Sequence, residues 1–282
     1  MNPIRSILVH VDASPATAVR LQAAVHLAQM HEAVLTALYA ATPSYVQYPY
    51  AFNVTPEIAP MLAECDSDRR DKAREMFELQ ARSFDHLQWA DAGSADVQTV
   101  ARAALCCDLL VLGQHAPGSD AAGYAGAAPE VPADFVEAVL LRSGKPAVVV
   151  PHIGMAAPIG DTAIVAWKET REAAHALVAA MPLLQRARQV HLVHWREGQD
   201  AAGSAGADPV TYLRLHGVHA IRHDEGSETR NVGEYLLSLA SELSADLMVM
   251  GCYGHGRARE WLLGGASRTM LSSMTLPVLM AH

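Results

Sequence analysis

The stretch ADLMVMGCYGHGRAREWLLGGASRTML at 245–271 opens with four consecutive apolar residues, Leu247 to Met250, that end on Gly251. A short run that is apolar without alternation fits a strand covered by helices on both faces, as in a parallel sheet. The same pattern occurs once more, as CDLLVLGQH at 107–115. Working outward, IRSILVHVDASPATAVRLQAAVHLAQ from Ile4 matches GDTAIVAWKETREAAHALVAAMPLLQ from Gly160, and SGKPAVVVP at 143–151 matches MTLPVLMAH at 274–282. Three matched pairs in the same order make this an internal duplication. The first copy is the longer one, so its insertions fall in loops.

Each copy alternates strands with helices. In the first, the periodicity predicts strands near 5–11, 34–41, 86–90, 108–113 and 146–150, and helices near 15–31, 66–83, 94–106 and 133–142. In the second, it predicts strands near 162–167, 189–195, 219–223, 246–251 and 277–281, and helices near 170–185, 208–216, 228–243 and 265–273. Such alternation implies right-handed crossovers and an open parallel α/β sheet in each copy. Ligands in these folds sit beyond the carboxyl ends of the strands, near a switch in strand order. The domains are expected at 1–152 and 160–282, divided by HIGMAAPIG at 152–160. Two further segments read as loops. ATPSYVQYPYAFNVTPEIAP (41–60) is either a lid on its own domain or a hydrophobic patch for a partner or dimer mate, and QHAPGSDAAGYAGAAPEVP (114–132) is a surface loop.

Composition narrows the function. The chain has 282 residues, 51% of them apolar and 18% charged, which gives room for two packed domains and argues against global disorder. A formal charge of −9 argues against a general nucleic-acid binder, which needs a basic face. No uninterrupted apolar run approaches the roughly 18 residues of a membrane span, and MNPIRSILVHVD reads as a first strand and not as a signal peptide. Cys65, Cys106, Cys107 and Cys252 form no C-x-x-C pair and read as reduced thiols of a cytoplasmic protein. His10, His191 and His194 fall at inner-strand positions, but no spacing supports a zinc site.

The glycines after 250 raise the question of phosphate. Gly251, Gly254 and Gly256 follow the strand, and Gly264-Gly265-Ala266-Ser267 leads into a helix, with Arg257, Arg259 and Arg268 nearby. Glycine lets a backbone approach an anion closely, and a helix N-terminus near Gly265 to Ser267 offers unpaired N–H groups and a favourable dipole. Ser267 would donate a hydroxyl or simply cap the helix. The same glycines equally suit a purely structural turn. The pattern is neither a G-K-[ST] loop nor a G-x-G-x-x-G fingerprint.

The string Gly251-x2-Gly254-x9-Gly264, set in a repeated five-stranded α/β unit, resembles the universal stress protein family in its tandem, two-domain form. The resemblance covers nearly the whole chain. It implies two open five-stranded parallel-sheet domains of Rossmann-like, adenine-nucleotide-hydrolase-like type, related by a pseudo-two-fold through pairing of their last strands, and a further homodimer is plausible on the same ground. In the ATP-binding branch, the motif G-x2-G-x9-G-[ST] cradles the phosphates. The resemblance therefore implies that Gly251, Gly254, His255, Gly264, Gly265 and Ser267 form the phosphate loop, with Val165, Ala166 and Trp167 by the adenine and Val193 to Trp195 near the ribose. The implied ligand is ATP or another adenine nucleotide, with Mg²⁺, and the implied role is regulation in stress, through a protein partner that the sequence does not identify.

This chain departs from the motif in places. Gly265 stands where the family has serine or threonine, and Trp167-Lys168 stands where relatives have an acidic residue at the end of the first strand. Asp12 holds that place in the first copy. There, however, Gly113 is followed by Gln114, His115 and Ala116, and the place of the third glycine falls on Ala133-Asp134, where a carboxylate would repel phosphate. The first copy is therefore expected not to bind ATP in the family manner. No G-x-S-x-G elbow and no general base stand out, so slow ATP hydrolysis is the most that catalysis would amount to.

Overall fold

The computed structural model describes residues 3–47, 58–93, 97–115, 130–154, 159–195, 208–225, 231–252 and 265–282. The chain divides into two compact units, Ile4–Lys145 and Pro146–His282.

In the first unit, β1 (Ser6–Val11), β2 (Val34–Tyr39), β3 (Leu87–Asp91) and β4 (Leu109–Gly113) run parallel in the order β3-β2-β1-β4. The helices of this unit are α1 (Ala16–His31), α2 (Ser44–Gln47), α3 (Ile58–Ala81), α4 (Val97–Ala104) and α5 (Phe135–Ser143). Ile7, Val9, Leu110, Val111 and Leu112 are fully buried, as the unalternated strand pattern requires. Helix α5 stops at Gly144, whose φ of 62° lets its N–H close on Leu140 O.

The second unit holds β5 (Ala147–Val150), β6 (Thr162–Trp167), β7 (Gln189–Trp195), β8 (Ala220–Glu225), β9 (Leu247–Gly251) and β10 (Val278–Ala281), in the order β5-β10-β9-β6-β7-β8. Its helices are α6 (Arg171–Leu184), α7 (Pro209–Leu215), α8 (Val232–Glu242) and α9 (Gly265–Ser273). All neighbours among β10, β9, β6, β7 and β8 are parallel, whereas β5 runs antiparallel to β10 with Val149 opposite Val278. The last strand of one copy thus pairs with the last strand of the other. Three helices begin on side-chain caps: Thr170 accepts from Ala173 N, Asp208 from Thr211 N and Asn231 from Glu234 N.

The repeated aspartate has the same task in both units. Asp108 accepts the N–H groups of Arg5 and Ser6, and Asp246 accepts those of Gly160, Asp161 and Thr162. Each carboxylate ties the start of its copy's first strand to the strand beside it.

The sequence places a helix near 66–83, but α3 begins at Ile58. Pro60 lies in its first turn, where a missing N–H costs nothing, and only Ala73 and Phe77 are buried along its length. A helix so polar gives little periodic signal. Ser44–Gln47, expected within a loop, is a short helix. The rest of the two expected loops, 48–57 and 116–129, lies outside the described residues.

Candidate functional site

Three adjacent parallel strands, β9, β6 and β7, present their carboxyl ends together in the second unit. Ala166 is in register with Met250 on one side and Val193 on the other, Trp167 is opposite His194, and Gly251 is opposite Ala281. Val165, Ala166, Trp167, Val193 and Gly251 are therefore brought to one group of strand ends. Val165 and Val193 are buried, while Ala166 and Trp167 are half-buried. The Trp167 indole Nε1–H is itself buried and has no acceptor among the described residues. Gly254, His255 and Gly264 lie outside the described residues, as does the Trp195 side chain.

Gly251 has a packing reason of its own. A Cβ there would lie 2.5 Å from Ala173 N and 2.6 Å from Glu172 C, so the first turn of α6 lies against this glycine. Gly265 differs: it opens α9, its φ is not positive, and a Cβ there would meet nothing within 4 Å among the described residues. Packing does not demand a glycine at that helix start. Ser267 is buried one turn in, and α9 packs closely on α8, where Gly233 admits Thr269 and Ala266 O.

The equivalent strand ends of the first unit are filled by the chain itself. Asp12 Oδ1 accepts from Arg20 Nη2 at 2.7 Å, Thr17 Oγ1 at 2.7 Å and Ser14 Oγ at 2.5 Å. His10 donates from Nε2 to Ala40 O at 2.7 Å, and its Nδ1 faces Arg20 Nη1 at 3.3 Å, which fixes a neutral Nε2–H ring. His10, Asp12, Thr17 and Arg20 are all at most 4% exposed. Gly113 makes room for the guanidinium, because a Cβ there would lie 2.5 Å from Arg20 Nη1. Farther out, Ala13 N reaches Glu130 Oε2 at 3.4 Å, Arg69 pairs with Asp66, and Asp66 accepts from Ser44 Oγ at 2.7 Å.

Burial and then the charge on Arg20 push the His10 pKa down to about 4. At Asp12 burial acts upward, but Arg20, His10 and the Ser14 and Thr17 hydroxyls together hold the carboxyl well below the usual carboxylate range. Burial raises Glu130, and burial and then Glu130 push Tyr39 up to about 12. The sequence reading did not find this network. Its one local signal is Arg20, a charge on an otherwise alanine-rich stretch of α1. The aligned Asp134 only precedes α5 and makes no side-chain cap.

Among the described residues, no group of three or more His, Cys, Asp or Glu is placed to hold a metal ion. All four cysteines are free, and Cys107 and Cys252 are buried, the first with its thiol pushed up to about 11 by burial. No helix among the described residues is long and apolar enough to cross a membrane.

A model of the universal stress protein family matches residues 3–151 and 161–282. A universal stress protein from Archaeoglobus fulgidus DSM 4304 is similar in structure, with a TM-score of 0.66 at 16% identity over 98% of this chain and 97% of its own. A functionally unknown protein from Pseudomonas aeruginosa PAO1 gives 0.59 at 15% identity, over 99% of this chain and 92% of its own. A universal stress protein solved in complex with cAMP covers 54% of this chain and 99% of its own, with a TM-score of 0.32 and 17% identity. At these identities the first two likenesses are ones of fold. A search of curated protein sequences finds no match.

Proposed function

The chain belongs to the universal stress protein family, and from that premise we propose that its second repeat binds an adenine nucleotide, ATP first, at the carboxyl ends of β9, β6 and β7. The observation that carries this reading is the contrast between the two sets of strand ends. In the first unit Arg20 and Asp12 close the place with their own charges. In the second, Trp167 and Lys168 stand at the corresponding place, and the buried Trp167 N–H has no acceptor among the described residues. A buried donor without a partner costs about 1–3 kcal/mol, and an acceptor on a purine or ribose would recover it. Gly265 supports the same reading: it opens α9, and a helix N-terminus offers N–H groups and a favourable dipole to a phosphate. Val165, Ala166, Trp167 and Val193 would face the nucleoside, and Gly251, Gly254, His255, Gly264, Gly265 and Ser267 the phosphates. The described residues offer no protein cage for Mg²⁺, so the ion would ride on the phosphates.

One observation favours a second reading, a nucleotide-free interaction protein with the same fold. Gly251 is fully explained by the α6 backbone against it. On either reading the role is regulatory in stress, with residues 1–152 as a scaffold domain, 160–282 as the ligand domain, a cytoplasmic location, and a homodimer as the working form. Titration with labelled ATP discriminates between the readings. Saturable binding that Gly254→Asp weakens at least tenfold is expected. Absence of saturable binding by the wild type up to millimolar ATP refutes nucleotide binding.

A further inference from the structure

In the second unit, β8 is an edge strand whose neighbour is β7. None of its described side chains is buried, and Ile221 is 53% exposed. Apolar burial therefore does little to hold this strand, which leaves its backbone ladder and its polar side chains. Two polar groups meet across the β7–β8 pair: His191, only 5% exposed, and His223, half-buried. The ring centroids are 5.2 Å apart, and His191 Nδ1 lies 3.0 Å from His223 Nε2.

Two imidazole nitrogens at that distance share one hydrogen bond and one proton, one ring donating and the other accepting. A single added proton goes to an outer nitrogen and leaves the bond in place. A second puts hydrogen on both facing nitrogens, which removes the bond and sets two cations against each other. His191 gains no relief among the described residues, where its Nε2 is buried without a partner. Its neighbours in register are Ile164 on β6 and Ile221 on β8, and Val193 follows on the same face. Neither ring makes an ion pair among the described residues, and among these the charge that acts on His191 is that of His223. Glu225, the last residue of β8, stands two residues beyond His223. Among the described side chains of this strand pair, the charged groups His194, Arg222 and Asp224 alternate onto the opposite face. There they bond to one another, and Arg222 also reaches Asp208 at the head of α7.

We propose that the His191–His223 pair is an acid-sensitive latch that fastens the edge strand β8 to the sheet and lets it go when both rings are protonated. The sign follows from linkage. Burial, and then the charge of His223, lower the His191 pKa in the folded unit, so a loosened strand takes up the proton more readily than a fastened one. The strand is held fully above about pH 6.5, the ordinary histidine value, and its hold weakens as pH falls below it.

Hydrogen–deuterium exchange of the full chain at pH 7.5 and 5.5, corrected for intrinsic rates, tests the latch. In the wild type, segment 220–225 should lose protection severalfold on acidification, while β9 loses less. In His223→Gln, whose amide stays neutral, the selective loss should shrink, because the second cation is gone while His191 stays buried. Protection of β8 that is independent of pH in the wild type, or that falls equally in His223→Gln, overturns the proposal. If His223→Gln loosens β8 at every pH, NMR titration of the His191 ring in the wild type decides. Titration below 6.5 supports the latch, and titration at or above 6.5 overturns it.

Discussion

Asp12 and Lys168 stand at corresponding places, each just beyond the first strand of its repeat, and the two units diverge from that residue. Asp12 and Arg20 are a buried pair, each nine-tenths or more out of solvent. Such pairs are costly to break singly, because one partner remains as an uncompensated charge. Arg20→Ala should therefore cost about 3–5 kcal/mol in chemical denaturation, and Arg20→Met with Asp12→Asn should recover much of it. His10 adds a pH term. Its folded value of about 4 lies below the ordinary 6.5, so the unfolded chain binds the proton first. Stability of the first unit should be full above pH 6.5 and fall by up to about 3 kcal/mol as pH drops to 4, with Asp12 extending the loss at lower pH. A flat profile over that window in His10→Gln, set beside a sloping wild type, is the expected result. Nothing in the sequence places Arg20 against Gly113, since that contact is made only when α1 crosses back over β4. This is why the network is invisible in the order of residues, while the motif glycines are visible.

At the scale of elements, the duplicated pattern made every strand legible. The strands are short and bounded by polar turns, the central ones apolar on both faces, and their ends fall within a residue or two of expectation. Helix α3 escaped at its start because it buries only two side chains, so its periodicity is faint over 58–65. The aspartate of each ADLxVxG-like strand was legible as a repeat but not as a clamp, because its partners lie 84 or more residues away. Asp246→Ala should free three N–H groups at the head of β6 and cost about 1–3 kcal/mol, measured by thermal or chemical unfolding. The glycines separate in the same way. Gly251→Ala drives a methyl into the α6 backbone and should cost about 1–3 kcal/mol whether or not a ligand is present. Gly265→Ala meets nothing and should leave stability within about 0.5 kcal/mol, while it weakens ATP if the start of α9 receives phosphate. Equal loss of stability in both variants would contradict the different packing of the two glycines.

At the scale of the whole molecule, duplication has produced two units with the same strand pattern and different strand ends. One end is closed by its own buried charges, and the other keeps an orphaned indole N–H and a glycine at a helix start that packing does not require. The account therefore requires one nucleotide per chain and not two, although the family pattern occurs twice. Equilibrium dialysis of the full chain against labelled ATP with Mg²⁺ tests this most directly. The account predicts a plateau of one ATP per chain that Gly254→Asp abolishes. A plateau of two, or no saturable uptake by the wild type up to millimolar ATP, would contradict it.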